Sequence, residues 1–255
     1  MNGIVYPYGS SHLIDTSNDY HTTMNGVDKV KIPGRNEIPA TTLIQLSGGV
    51  DSAYVLWKWL VENPNEYCLV HHIKLINYEQ RQDYEIEAID KILKWLDNKD
   101  LKNYFYLQNT FDYGNFTSVI TDSEICGFHA GILLRSPRWL TINKVLLPIY
   151  NVTPDNPKMQ KGGREYNRLE TMTTISKRDD YEAIYPLIHM DKIDVVRAIP
   201  RELLDLCWYC RVPLNNKRCG NCFTCKEVEE SIEKIKEDNL LDFIMQVELQ
   251  NKKEK

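Results

Sequence analysis

The sequence predicts an α/β fold: a doubly wound, mostly parallel sheet with a small C-terminal element knit by four cysteines around zinc. Three observations predict it. Apolar runs at residues 43–46, 67–76, 104–107 and 145–150 alternate with stretches of helical spacing, the pattern of successive βαβ units. A polar, glycine-bearing turn, Ser47-Gly48-Gly49-Val50-Asp51-Ser52, lies between the first apolar run and the first helical stretch. Five of the 7 cysteines fall between Cys207 and Cys225, a crowding that argues for a bound metal where thiols stay reduced.

The size and charge bound the rest. At 255 residues the chain suffices for one large domain and a small appendage. Lys+Arg 31 against Asp+Glu 36 gives a net charge of -5, which disfavours a large nucleic-acid substrate gripped through its phosphates. No apolar stretch reaches membrane-spanning length, and the first thirty or so residues lack the pattern of a signal peptide, so a cytoplasmic protein is expected. The expected organisation is an irregular extension over residues 1–40, a nucleotide-binding α/β domain over 41–200, and a zinc element with C-terminal helices over 201–255.

Residues 1–40 are polar, scattered with glycine and proline, and without period. They are expected to lie on the surface or to form a short hairpin, with a turn at Ile32 to Asn36. The stretch Leu43 to Leu46 then reads as a buried strand, and Ala53 to Leu60 as the start of a helix. The turn between them suits an anion. Its glycines bring bare N–H groups close to a phosphate, Ser47 and Ser52 add hydroxyls, and the helix N-terminus adds the equivalent of roughly half a positive charge. Asp51 is acidic and is expected to hold a metal ion or the turn itself. With no lysine in the turn, this is not a Walker A loop.

Tyr67 to Ile76 reads as the second strand. Its tandem His71 and His72 point to opposite faces, cannot share a metal, and are read as structural. Asp83 to Leu96 has apolar residues at helical spacing, and the loop before it is expected to face the same crevice as the phosphate turn. A third strand is expected at Tyr104 to Leu107 and a helix within 124–144. A fourth strand at Val145 to Tyr150 is interrupted by Pro148. Residues 151–163 read as a long loop, either a mobile cover or a passive connection. A lysine at a helix start suits the dipole only beside an anion, and the resemblance given below implies such a start at Lys192. Cys210, Cys219, Cys222 and Cys225 form C-x8-C-x2-C-x2-C, a spacing that can surround one ion tetrahedrally. A rival set replaces Cys219 with Cys207, and an iron–sulfur cluster is a further alternative. Apolar residues near the C-terminus suggest helical packing against a partner subunit, hence a homodimer.

The residues also carry a resemblance. Ser-Gly-Gly-x-Asp-Ser after an apolar strand resembles the pyrophosphate loop of the ATP pyrophosphatase superfamily. The segment from Ile76 to Ala88, INYEQRQDYEIEA, is similar to the D-Y-G-Q-R-H-x-x-E-I-E-A segment of the 7-cyano-7-deazaguanine synthases. Pro186-Leu187 followed by Lys192 resembles that family's P-L-x-x-x-x-K turn, and the cysteine spacing matches its structural zinc site. Two family elements differ here. The nearest match to P-x-R-N is Ser136-Pro137-Arg138-Trp139, and Y-P-D-C has no recognisable counterpart.

The resemblance implies ATP held by Leu46, Ser47, Gly48, Gly49, Val50, Asp51 and Ser52, with Mg²⁺ near Asp51. Ser47, Asp51 and Lys192 are the implied catalytic residues. Tyr78, Gln80, Arg81 and Arg138 are implied for a deazapurine acid, and the four cysteines for Zn²⁺. The implied reaction adenylates 7-carboxy-7-deazaguanine and uses ammonia to form the amide and then the nitrile. Alternatives are an enzyme that stops at the amide or delivers the acid to another amine such as a protein, a non-catalytic nucleotide-binding module, and a tRNA thiolase.

Overall fold

The computed structural model describes residues 4–6, 21–22, 30–31, 40–114, 121–150 and 156–253, with side chains for 40–114, 121–150 and 156–240. The turn expected at Ile32 to Asn36 and the first residues of the 151–163 loop lie outside the described residues.

A six-stranded sheet forms the frame. Its strands are β1 (Ile4–Tyr6), β4 (Ala40–Gln45), β5 (Tyr67–Ile76), β6 (Tyr104–Asp112), β7 (Lys144–Leu146) and β8 (Glu182–Ile184), in the order β1-β6-β5-β4-β7-β8. β6, β5, β4, β7 and β8 run parallel, and β1 closes one edge antiparallel to β6. Two further two-residue strands, β2 (His21–Thr22) and β3 (Val30–Lys31), pair antiparallel, in line with a short hairpin in the extension.

The winding reverses between β4 and β7. From β4 the chain steps through β5 to β6 on one side, then returns to β7 and β8 on the other. In such sheets the crevice at the carboxyl ends of the strands beside the reversal is the natural ligand site, and the phosphate turn follows β4 directly.

Helices cover both faces. α1 (Val50–Glu62) and α2 (Gln82–Asn98) pack on the face that carries Ile44 and Val70. The same core takes in Leu203 and Leu204 of α6 (Arg201–Leu206) and Val228 of α7 (Phe223–Lys253), so chain on both sides of residue 200 shares one apolar cluster. The other face, with Leu43 and Leu69, is covered by α3 (Asp122–Arg135) and by Met172 of α4 (Arg164–Ser176). No helix among the described residues is long and apolar enough to cross a membrane.

Several expected bounds shift, each for a reason. β6 runs on to Asp112 because it pairs residue for residue with β5 as far as Ile76. β7 ends at Leu146, just before Pro148, which has no N–H for a ladder, and pairing resumes only as an isolated bridge between Tyr150 and Leu187. The helix expected within 124–144 stops at Arg135, before Ser136-Pro137, and Pro137–Trp139 makes a short 3-10 turn. α5 (Lys192–Ala198) starts where expected, capped by Asp191 and Asp194 in a reciprocal capping box.

α4 is the element that periodicity misses. Its buried residues are Glu165, Arg168, Met172 and Ser176. They follow a helical stripe in which only Met172 is apolar, so an apolar period is absent. It docks on α3 where Gly127 and Gly131 remove side chains; a Cβ at Gly127 would stand 2.5 Å from the Arg168 carbonyl oxygen.

Candidate nucleotide and metal site

The turn after β4 is built to stay open. Gly48 has φ +78, and a Cβ there would meet the Glu85 carbonyl oxygen at 3.0 Å, so only glycine fits without strain. Gly49 caps α1 with no side chain bonded to the helix end, which leaves the first N–H groups of α1 without a side-chain acceptor. Ser52 works from inside: its hydroxyl accepts from the Ser47 N–H and donates to the Gly49 carbonyl, both at 3.1 Å. Ser47 is exposed, and its Oγ lies 3.0 Å from that of Ser52. The structure thus uses Ser52 as a brace and leaves Ser47 facing outward.

A cavity of about 290 Å³ opens over this turn. Leu46, Ser47, Gly49, Val50, Asp51 and Ser52 line it from the loop, Lys192 from α5, and Trp208 and Cys210 from the cysteine segment. Asp51 and Lys192 meet across it: the Lys192 ammonium donates to both carboxylate oxygens at 2.5 and 2.7 Å. Burial pushes the Asp51 carboxyl up, against the pull of Lys192. Glu227 of α7 lies 3.8 Å from the same ammonium and accepts the Tyr150 hydroxyl at 2.6 Å. Glu227 and Tyr150 therefore complete the surroundings of Lys192, and no motif in the sequence pointed to them. With both Asp51 oxygens engaged by Lys192, this arrangement assembles no carboxylate cage for Mg²⁺.

Arg81 also lines the cavity, as the hub of an ion network. Glu79 and Glu85 approach it at 2.9 and 3.2 Å, and Asp122 bonds its Nη2. Arg211 donates to Glu79 at 2.8 and 3.0 Å and to Asp122 at 3.3 Å. Burial pushes the Glu85 carboxyl up to about 7 although Arg81 pulls it down. Asp122 keeps its carboxyl below the usual range: burial acts to raise it, but Arg81, Tyr113 and Arg211 outweigh that. The other implied substrate residues stand elsewhere. Tyr78 is 71% exposed, and Gln80 is exposed with φ +50. Arg138 belongs to the turn after α3, beside Thr141, whose hydroxyl bonds the Ala40 carbonyl at the amino end of β4. That is the end of the sheet away from the cavity.

His71 and His72 do lie on opposite faces, as the strand requires. His71 Nε2 bonds Asn109 Oδ1 at 3.0 Å, and His72 Nδ1 bonds the Leu46 carbonyl at 2.9 Å. Both are buried in the cavity wall.

Beside the cavity the sulfurs of Cys210, Cys219, Cys222 and Cys225 lie within 4.8 Å of one another. Tetrahedral Zn–S bonds of about 2.3 Å place sulfurs roughly 3.8 Å apart, so the set fits a single ion with little adjustment. Backbone N–H groups already turn toward them: Cys219 N to Cys210 Sγ and Cys222 N to Cys219 Sγ, each at 3.2 Å. The Cys222 thiol is drawn down to about 6; burial opposes this, but the Thr224 hydroxyl and nearby N–H groups prevail. Cys207 stands apart. Its Sγ donates to the Leu203 carbonyl at 3.2 Å, and burial pushes its thiol up to about 12, so it stays protonated in the core.

The cysteine segment grips both the phosphate turn and α2. Trp208 stacks on Tyr84 with ring centroids 4.5 Å apart, and its indole N–H bonds the Cys210 carbonyl at 2.9 Å. Arg218 lies over the Tyr209 ring at 4.2 Å.

No protein-family model and no curated protein matches the chain. Among solved structures it is similar to the U34-tRNA thiolase NcsA from Methanococcus maripaludis, solved with its [4Fe-4S] cluster. The TM-score is 0.40 at 12% sequence identity, over 81% of this chain and 69% of that one.

Proposed function

We propose that this chain is an ATP-dependent enzyme of the pyrophosphate-loop type that adenylates a carboxylic acid, with 7-carboxy-7-deazaguanine as its substrate. One observation carries the reading: the Ser47–Ser52 turn opens at the sheet's reversal into a cavity that also holds Lys192 and adjoins the four-cysteine set. A bare helix N-terminus and a lysine facing one cavity suit an anion that gains charge as it leaves.

In the reaction a substrate carboxylate oxygen attacks the α-phosphorus of ATP, and the bond to the β-phosphate oxygen breaks, releasing pyrophosphate. Ammonia then displaces AMP and loses a proton, giving the amide. A second ATP then adenylates the amide oxygen, releasing pyrophosphate and one N–H proton, and loss of AMP with the remaining N–H proton gives the nitrile. Loop N–H groups and Ser47 orient the polyphosphate, and Lys192 exchanges its bond with Asp51 for one to the departing oxygens. Mg²⁺, when it accompanies ATP, supplies charge neutralisation there. Cys210, Cys219, Cys222 and Cys225 would hold Zn²⁺, which would fix the segment that walls the cavity. A small-molecule acid and ammonia are thus the partners, in a cytoplasmic enzyme that acts as a homodimer.

A turnover mixture of zinc-loaded protein, ATP, magnesium, ammonia and the acid, weighed by mass spectrometry, tests this. Nitrile with AMP and pyrophosphate is the expected outcome. Amide alone, or a conjugate to another amine, assigns the earlier branch. Absence of both AMP and adenylate leaves a nucleotide-binding module without catalysis.

One observation favours a second reading, a tRNA thiolase: Cys210 lines the cavity itself, so a metal there would border the nucleotide site rather than lie remote from it. Sulfur incorporation into tRNA, with an iron–sulfur absorption band in anaerobically reconstituted protein, would select it. The net charge of -5 weighs against gripping a tRNA.

A further inference from the structure

The cavity has a second polar wall, on the α3/α4 face, which the phosphate turn does not use. Gln45 of β4 and His71 of β5 are register partners, so their side chains stand next to each other on that face. Gln45 is held at both ends: its Nε2 donates to the Cys126 carbonyl at 2.9 Å, and its Oε1 accepts from Arg168 Nη2 at 2.7 Å. Gln45, His71 and Arg168 all line the cavity, and Arg168 is only 7% exposed. Two buried atoms of these lining residues have no partner, Arg168 Nε and His71 Nδ1; Glu165 Oε2, which does not line the cavity, has none either. With Asn109 Oδ1 accepting from Nε2, His71 Nδ1 is an acceptor. The wall thus holds one unanswered donor on a cation and one unanswered acceptor. Leaving such groups unpaired in a protein interior is unfavourable, and a ligand that answers both removes the deficit.

Charge singles out Arg168 among the cations that line the cavity. Carboxylates at hydrogen-bond distance confront an anion at the other three: Glu79, Glu85 and Asp122 at Arg81, Glu79 and Asp122 at Arg211, and Asp51 at Lys192. At Arg168 the paired carboxylate is Glu165, at 3.7 Å from Nη1, beyond hydrogen-bond reach. Its position is fixed by packing, since the helix backbone at Arg168 lies against Gly127, and by the bond to Gln45. Gln45 also precedes the phosphate turn by only Leu46, so a ligand on this wall lies next to the loop.

We propose that this wall is the acid-binding subsite: Arg168 receives the carboxylate of a planar N-heterocyclic acid, and His71 Nδ1 accepts a ring N–H. The assignment deepens, and rests on, the adenylation reading. Arg168 then serves where the sequence resemblance had placed Arg81 and Arg138.

Calorimetry on the full, zinc-loaded chain tests it, using 7-carboxy-7-deazaguanine, its uncharged 7-amide, and separately a non-hydrolysable ATP analogue. Arg168→Gln is expected to weaken the acid by about 10-fold or more, the size of a lost charge-assisted hydrogen bond. The amide should change by less than about 3-fold, and Arg168→Lys should recover part of the acid's affinity. Should Arg168→Gln not fold, the same acid-to-amide comparison on Arg168→Lys decides, with a selective loss of the acid expected. Equal weakening of acid and amide, no change in either, or a wild-type chain that binds neither overturns the assignment. The ATP analogue reports on the phosphate turn alone: if it binds while the acid does not, the subsite fails and the nucleotide reading stands, and if it does not bind, the nucleotide reading fails on its own.

Discussion

Trp208 donates its backbone N–H to the Gly48 carbonyl at 2.8 Å, a bond that joins the cysteine segment to the phosphate turn. Two residues after Trp208 the chain reaches Cys210, a member of the metal-competent set. The geometry of the Ser47–Ser52 turn is therefore mechanically linked to that set.

Metal removal should be felt at the nucleotide. Chelation, or Cys219→Ser, is expected to lower the melting temperature and to weaken an ATP analogue several-fold, because a loosened segment no longer holds Gly48. Cys207→Ala should keep one metal per chain, since that thiol is buried, protonated and outside the set. Elemental analysis and calorimetry on the same samples check both. Loss of metal in Cys207→Ala would mean that the ligand set has been misassigned.

Lys192→Met should reduce AMP formation by about 100-fold or more, the usual effect of removing one charged partner of a leaving group. It also strands Asp51, the half-buried partner in the pair, at an expected cost of about 1–3 kcal/mol in stability. The double variant Asp51→Asn, Lys192→Met should regain most of that stability and none of the activity. Urea melts and a pyrophosphate-release assay separate the two effects.

Gly48→Ala puts a side chain on a left-handed backbone and presses it on the Glu85 carbonyl. A loss of about 1–3 kcal/mol in stability is expected, together with loss of ATP-analogue binding. Wild-type affinity in this variant would show that nucleotide does not depend on the turn.

Acid should destabilise the fold through its buried histidines. Burial, with the His129 charge, draws His71 down to about 3, and burial draws His72 down to about 4 against the bond to Leu46. Both folded values lie below the unfolded one near 6.5, so the unfolded chain binds more protons. Their contribution is complete above about pH 6.5 and is lost as the pH falls toward 4 and 3. Glu85, raised by burial to about 7, has the opposite sign: its contribution is present at low pH and lost as the pH rises from about 4.5 to 7. Each uncompensated proton is worth about 1.4 kcal/mol per pH unit. Two histidines against one carboxyl leave a net loss of stability between pH 6.5 and 5, and Glu85→Gln should steepen it. Urea melts at pH 7.5, 6.5 and 5 measure the slope, and a flat profile would contradict the buried neutral histidines.

Much of the frame was legible because it is local. Strand and helix positions from β4 through α2 followed from apolar runs and helical spacing, and the start of α5 from the resemblance of Pro186 to Lys192 to a strand-to-helix turn. The turn from Ser47 to Ser52 was legible because a tight turn needs glycine, as the positive φ of Gly48 shows. α4 was silent because its buried stripe is Glu165, Arg168, Met172 and Ser176, and a single apolar residue among polar ones carries no apolar period.

By itself the sequence determined the open turn from Ser47 to Ser52 and the cysteine spacing that gathers four sulfurs, since both depend on residues close together in the chain. Tertiary structure alone decided which charges answer each other. Lys192 reaches Asp51 from 141 positions away, and Arg168 reaches Gln45 from 123. Such pairings depend on how α5 and α4 dock against the sheet, and the balance between a cation's neighbouring carboxylates and its distance from them has no imprint in local spacing.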